Sequence, residues 1–221
     1  MINVSVIIVA AGSGKRFGRP KQFVSLKGKP VLEWSLEKFS RYEQISQIIL
    51  VVPKGSQIND IKQRYPKIME IVEGGETRQE SVAAGFKCLS LNPKDVVLVH
   101  DAARPLVSPG LIERVISAVI KSGAAIPLIP VEDTVKEMKD NRVLRTVERS
   151  HLYLAQTPQG FLFQLLQKTL KETADKKWIG TDEASLVEFM MEKIVGVQGE
   201  KSNIKITSAV DLKIAEGLIE N

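Results

Sequence analysis

The sequence predicts an α/β fold in which a mostly parallel sheet is covered by helices. Short runs rich in Val, Ile and Leu alternate with longer amphipathic segments along nearly the whole chain, the pattern of strands that return in parallel through helical crossovers. The length of 221 residues is enough to bury one substantial core and would cramp two, so 1–221 is read as a single domain.

Taken in order, the first strand runs from Val4 to Ala10, an unbroken apolar run that stops at glycines. A helix from Val31 to Ser40 follows Pro30, a residue tolerated in a first turn. Strands at Ile48 to Val52 and Ile68 to Val72 bracket a short helix from Ile58 to Arg64. Next come a helix from Gln79 to Cys88, a strand from Val96 to His100, and a helix from Leu111 to Lys121 opened by Pro109. A strand from Ala125 to Leu128, a helix from Phe163 to Thr173, a helix from Asp182 to Met191 with Thr181 as its cap, a strand from Ile194 to Val197 and a helix from Ala209 to Ile219 complete the series.

One stretch departs from this rhythm. From Glu132 to Ser150 the residues are charged and strand-like, with Asp140 and Asn141 at a turn, which predicts a β-hairpin arm leaving the sheet. Unpaired strand edges invite a second copy of the chain.

Hydrophobic residues at 43% and charged residues at 26% describe an ordinary globular protein. The early apolar run is too short to span a bilayer and follows no basic segment, so a cytoplasmic protein without a membrane anchor is expected. A single cysteine, Cys88, excludes an internal disulfide and a multi-cysteine metal cluster, and its helical neighbours make it a core thiol. The net charge of +5 favours anionic partners. The basic residues are spread out and aromatics are 5%, without a recognition helix or aromatic platform, so a polyphosphate fits better than nucleic acid.

Three strand ends carry the chemistry. After the first strand comes Ala10-Ala11-Gly12-Ser13-Gly14-Lys15-Arg16, then Pro20-Lys21-Gln22. Small residues at a carboxyl edge let backbone amides approach a phosphate chain, which suits a triphosphate. A dinucleotide fingerprint would need glycine at Phe17 or Arg19, and a Walker A loop would need Ser or Thr at Arg16; a tight turn with a solvated face also accounts for the segment. Glu73-Gly74-Gly75-Glu76-Thr77-Arg78 leads into Ser81; it suits a base edge or ribose, and equally a plain strand-to-helix turn. In Val99-His100-Asp101-Ala102-Ala103-Arg104, Asp101 is placed to hold magnesium between phosphates and Arg104 to grip another phosphate. The alternative is an Asp101–Arg104 ion pair closing a turn. His100 reads as a hydrogen-bonded core residue, and His151 has no nucleophilic partner in the pattern.

In order, AAGSGKR with PKQ, GGETRQESV, VHDAARP, QTPQGF, TDEAS and NIKIT closely resemble the 2-C-methyl-D-erythritol 4-phosphate cytidylyltransferases of the non-mevalonate isoprenoid pathway, from about Val4 to Ala215. The resemblance implies a Rossmann-like nucleotidyltransferase fold, a homodimer clasped through the arm at about 132–150, and a divalent metal, usually Mg2+. It implies that Arg16 and Lys21 hold the triphosphate and that Ala10, Ala11, Gly12 and Gly14 line the nucleotide pocket. Gly75, Glu76 and Ser81 match positions around cytosine and ribose, and Asp101 matches the metal carboxylate. Arg149, reaching across the dimer, and Lys205 match residues that position the sugar phosphate, while Arg104, Thr134, Thr157 and Thr181 match further contacts to it. Glu76 stands where some relatives carry aspartate.

The activity so implied is transfer of CMP from CTP to the erythritol phosphate, with release of pyrophosphate. A ribitol 5-phosphate cytidylyltransferase is the nearest rival, disfavoured by AAG and HDAARP where those enzymes tend to carry AGG and HDAVRP. A non-catalytic nucleotide sensor or a nucleic-acid-binding module is the rival of another class; a degenerate sensor would have lost Arg16, Lys21 or Asp101, and all are present.

Overall fold

The computed structural model of the chain describes residues 2–14, 17–58 and 60–219. The strands are β1 (Val4–Val9), β2 (Ser25–Leu26), β3 (Lys29–Pro30), β4 (Ile45–Val52), β5 (Ile68–Glu73), β6 (Val96–Asp101), β7 (Ala124–Pro130), β8 (Val135–Lys139), β9 (Arg142–Val147), β10 (Tyr153–Ala155), β11 (Gln159–Leu162) and β12 (Val195–Gln198). The helices are α1 (Val31–Arg41), α2 (Ile61–Arg64), α3 (Arg78–Phe86), α4 (Pro109–Ser122), α5 (Phe163–Asp175), α6 (Glu183–Phe189) and α7 (Ala209–Leu218).

The main sheet runs β10–β7–β11–β6–β1–β4–β5, with β12 against β7. Strands β1, β4, β5 and β6 are mutually parallel, so their carboxyl ends share one edge. Strand β11 lies antiparallel between β6 and β7. It continues β10 after the segment 156–158, where the Thr157–Pro158 peptide is cis.

Side-chain alternation sends each strand's apolar residues to two faces. Val4, Val6 and Ile8 of β1 pack with Leu36 and Phe39 of α1 and Val115 of α4. Ile7, on the opposite face, packs with Val82 and Phe86 of α3 and Leu166 of α5. Each fully buried side chain of this size contributes roughly 1.5–3 kcal/mol, so both helical layers are fixed to the sheet. Gly85 makes the α3 contact possible, because a Cβ there would stand 2.8 Å from methyl groups of Ile7 and Val51. A third, smaller cluster joins α7 to the β2–β3 hairpin through Leu26, Val31, Ile206 and Ala215.

Helix starts follow side-chain chemistry. Thr77 and Glu80 form a capping box on α3, Ser208 and Asp211 one on α7, and Ser108 caps α4 with Pro109 in its first turn. At α6 the cap is Asp182 and not Thr181: the Asp182 carboxylate accepts from the Ser185 amide at 2.9 Å. The hairpin β8–β9 forms a two-stranded sheet of its own, turning at Asp140 and Asn141, both with positive φ. Helix α2 is shorter than its periodicity suggests, starting at Ile61. Cys88 is half-buried at the margin of the second cluster.

Candidate active site

The carboxyl ends of β1, β5 and β6 open onto a cavity of about 520 Å³. Open α/β sheets bind ligands at that edge because the loops there point backbone amides away from the strands. Ala10, Ala11, Gly12 and Lys21 line one side, Gly75, Glu76, Arg78 and Ser81 another, and Asp101 and Lys205 the floor.

The first loop is shaped by two anchors. Gly14 has φ +68°, and a Cβ there would lie 1.9 Å from the Arg19 carbonyl oxygen, so only glycine fits. Buried Gln22 donates from Nε2 to the Gly12 carbonyl at 3.0 Å. Gly14 itself is not among the residues lining the cavity, whereas Lys21 is. Arg16 lies outside the described residues.

The second loop is drawn in by the cap of α3. Glu80 Oε2 accepts from the amides of Glu76 at 2.7 Å and Thr77 at 3.0 Å. Gly74 brings the two loops together, since a Cβ on it would sit 2.3 Å from Ala11 Cβ.

Four titratable side chains meet at the floor. Arg78 donates from Nε to Asp101 Oδ1 at 3.1 Å and from Nη1 to both Glu183 oxygens at 2.7 Å. Lys205 Nζ lies 2.6 Å from Asp101 Oδ2. Burial alone would push the Asp101 carboxyl up, but Arg78 and Lys205 outweigh it and hold it well below the usual carboxylate range. Glu183 has one cation in place of two and is wholly dry, so burial wins there and its carboxyl is pushed up. The Asp101–Arg104 pair considered from sequence does not form. The Arg104 guanidinium donates instead to the carbonyls of Asn203 at 2.7 Å and Ala155 at 3.2 Å.

Behind the floor lies a neutral support. Thr157 Oγ1 accepts from the Asp101 amide at 3.1 Å and meets His100 Nδ1 at 3.1 Å. His100 Nε2 lies 3.2 Å from the Arg104 carbonyl, so the neutral ring donates from Nε2 and accepts at Nδ1. Burial drives the His100 pKa down to about 3, which makes it the core residue its pattern indicates. Asn203 Nδ2 donates to the Thr157 carbonyl at 2.9 Å, and the Ile206 amide to Ala103 at 2.8 Å; these bonds lay the segment around Lys205 against the floor. Gln159 donates to Asp182 at 2.7 Å and accepts from the Ala184 amide at 3.1 Å, which delivers Glu183 to Arg78.

The cavity therefore gathers Lys21, Asp101, Lys205, Ala10, Ala11, Gly12, Gly75, Glu76 and Ser81 of the residues expected from sequence. Arg104, Thr134, Arg149, Thr157 and Thr181 are not among the described residues that line it. Arg104 and Thr157 are turned into the protein, Arg149 donates to the Glu132 carbonyl at the root of the hairpin, and Thr134 and Thr181 are exposed. Glu183 was legible only as part of a helix start, and nothing in the pattern signals that both its oxygens accept from Arg78.

With Lys21 and Lys205 among its lining residues and glycine loops on two sides, the cavity is chemically suited to an anionic ligand. The family described as 2-C-methyl-D-erythritol 4-phosphate cytidylyltransferase matches residues 4–221. The protein of that name from Bacillus licheniformis is 39% identical, over 99% of this chain and 96% of its own. One from Pelotomaculum thermopropionicum is 40% identical, over 100% and 95%. The crystal structure of the Thermus thermophilus protein of that name superimposes with a TM-score of 0.83 at 36% identity, covering 96% of each chain.

Proposed function

The chain belongs to the 2-C-methyl-D-erythritol 4-phosphate cytidylyltransferase family, and from that premise we propose that the carboxyl-edge cavity is its active site. The protein transfers CMP from CTP to 2-C-methyl-D-erythritol 4-phosphate, giving 4-diphosphocytidyl-2-C-methyl-D-erythritol and pyrophosphate. The observation that carries the assignment of the site is that Lys21, Asp101 and Lys205, from three distant segments, share one cavity with two glycine loops.

The nucleophile arrives on the substrate. A phosphate monoester, with a second pKa of about 6, is largely doubly ionised at neutral pH and needs no protein base. One of its oxygens forms a bond to the α-phosphorus of CTP while the α–β bridging bond breaks, and pyrophosphate leaves with the electron pair. Lys21 and Arg16 neutralise the charge that builds on the α-phosphate and the departing group. Ala10, Ala11, Gly12 and Gly14 shape the phosphate loop, and Gly75, Glu76 and Ser81 hold cytosine and ribose. Lys205 positions the incoming phosphate. Arg104, whose Nη atoms donate to the Asn203 and Ala155 carbonyls, and Thr157, whose hydroxyl meets the Asp101 amide, fix the wall on the sugar-phosphate side.

Among the described residues no three His, Cys, Asp or Glu side chains gather into a metal cage. Magnesium is ordinarily held by one or two carboxylates with substrate phosphates and water, and Asp101, with Oδ2 on an exchangeable ammonium, fits that mode. A bound Mg2+ would be held by Asp101 and would offset triphosphate charge.

A homodimer through the hairpin is part of the same reading. Met138, Val143 and Leu144 are 57, 59 and 56% exposed on it, an apolar surface that a second copy would cover. Thr134 and Arg149 at its root would then face the partner's site, and Thr181 the rim. Among the described residues no helix is long and apolar enough to cross a membrane; a cytoplasmic location suits substrates too charged to pass a bilayer unaided.

Incubation with CTP, Mg2+ and a sugar-alcohol phosphate tests the activity. Pyrophosphate should appear with the erythritol phosphate and far more slowly with ribitol 5-phosphate. Preference for the ribitol compound, or release with neither, overturns it.

A further inference from the structure

Asp101 meets two cations that differ in freedom. The Arg78 side chain is 26% exposed and the Glu183 side chain that grips it 1%, whereas Lys205 is 36% exposed. Arg78 spends its Nη1 on both oxygens of Glu183 and gives Asp101 only Nε, on Oδ1. A guanidinium with no second anion prefers to take both oxygens of one carboxylate. Here Glu183 prevents that, and Oδ2 stays turned toward Lys205 and the cavity.

We infer that Glu183 and Arg78 are a positioning pair for Asp101: Glu183 holds the guanidinium edge so that Arg78 fixes one oxygen of Asp101 and leaves the other for an exchangeable cation. The inference rests on Asp101 being the carboxylate that meets a divalent metal arriving with the triphosphate. Lys205 fills that position in the free protein and would yield it to such a cation. Glu183 is well suited to the task because it is held from behind: Gln159 ties both ends of the α6 start, through Asp182 and the Ala184 amide, and Glu183 follows the Asp182 cap directly. A fully buried carboxylate is costly unless paired, and here its partner is a residue of the cavity wall.

In Glu183→Gln the anion is gone and only the amide oxygen can still accept from Arg78 Nη1, so the grip weakens and Arg78 is freed to turn onto Asp101 with both edges. The affinity for CTP measured calorimetrically in Mg2+, divided by that in EDTA, reads this directly. The ratio should fall about tenfold or more, the scale of one charge-assisted hydrogen bond, with the EDTA value nearly unchanged. A purely structural role would weaken both values together. The double variant Glu183→Gln/Arg78→Gln removes both charges and leaves no unpaired buried ion; Asp101 then loses its hold on Oδ1, and the ratio should fall as well. If either variant melts as the parent does and keeps the parental ratio, the inference is overturned. Asp101→Asn separates the two levels: loss of the ratio there alone condemns the positioning pair, whereas retention condemns the metal reading of Asp101 and the pair with it.

Discussion

The Thr157 hydroxyl stands 3.1 Å from His100 Nδ1 and 3.1 Å from the Asp101 amide nitrogen. A single oxygen thus joins the strand carrying Asp101 to the neighbouring antiparallel segment. Thr157→Val keeps the shape and deletes the oxygen, orphaning a buried donor and a buried acceptor. The loss should be roughly 1–3 kcal/mol, seen as a fall in melting temperature of roughly 3–10 °C, with turnover reduced. Thr157→Ser should melt close to the parent; if the valine variant does too, the bridge contributes nothing.

Acid should weaken the fold through His100. Its folded pKa is about 3 against an ordinary 6.5, so between those values the unfolded chain binds a proton that the native protein refuses. Stability then falls with falling pH by up to about 1.4 kcal/mol per unit. Glu183, pushed up by burial, takes up its proton earlier when folded and works in the opposite sense. Asp101, held low, loses its ion pairs only at more acid pH. Comparing the parent with His100→Gln cancels both: the difference between their stability curves should slope below about pH 6.5. Parallel curves from pH 7 to about pH 4 would contradict the buried neutral ring.

Lys21→Ala and Arg16→Ala should fold normally and lose turnover by about 100 to 1000-fold each, the usual weight of one preorganised electrostatic donor. Steady-state pyrophosphate release with melting curves as a control measures this. Near-parental turnover in either variant removes that residue from the mechanism.

The hairpin makes a separate prediction. Sedimentation should give twice the chain mass of 24.5 kDa, and Leu144→Glu, on the exposed apolar face, should shift it to the monomer. Mixing Arg149→Ala with Lys21→Ala chains should restore part of the activity, because one of the two shared sites in a mixed dimer is intact. No recovery in any mixture would make each site self-sufficient.

The parallel strands were legible because Val4–Val9, the 48–52 part of β4 and the 96–99 part of β6 are buried on both faces and read as nearly continuous apolar runs. Strands β10 and β11 were not. Tyr153–Ala155 and Gln159–Leu162 are short, sit either side of a proline, and pair only because β6 and β7 offer edges; tertiary context outweighs local preference there. The β2–β3 pair, two residues each, carries no period to detect. In the site, the glycine loops and Asp101 could be found from their places after strands. The partners of Asp101 could not, since Arg78 and Lys205 lie 23 and 104 residues away in sequence, and Glu183, the second anion on Arg78, lies 82 away; only the folded sheet brings them together.

The route by which Lys205 reaches the floor has a consequence for how the protein becomes competent. Asn203 and Ile206 are tied to Thr157 and Ala103, so the pocket is finished by the stretch that leaves the ribosome late, after the sheet can already have formed. A chain cut before Asn203 would keep the first glycine loop yet lack the ammonium that meets Asp101.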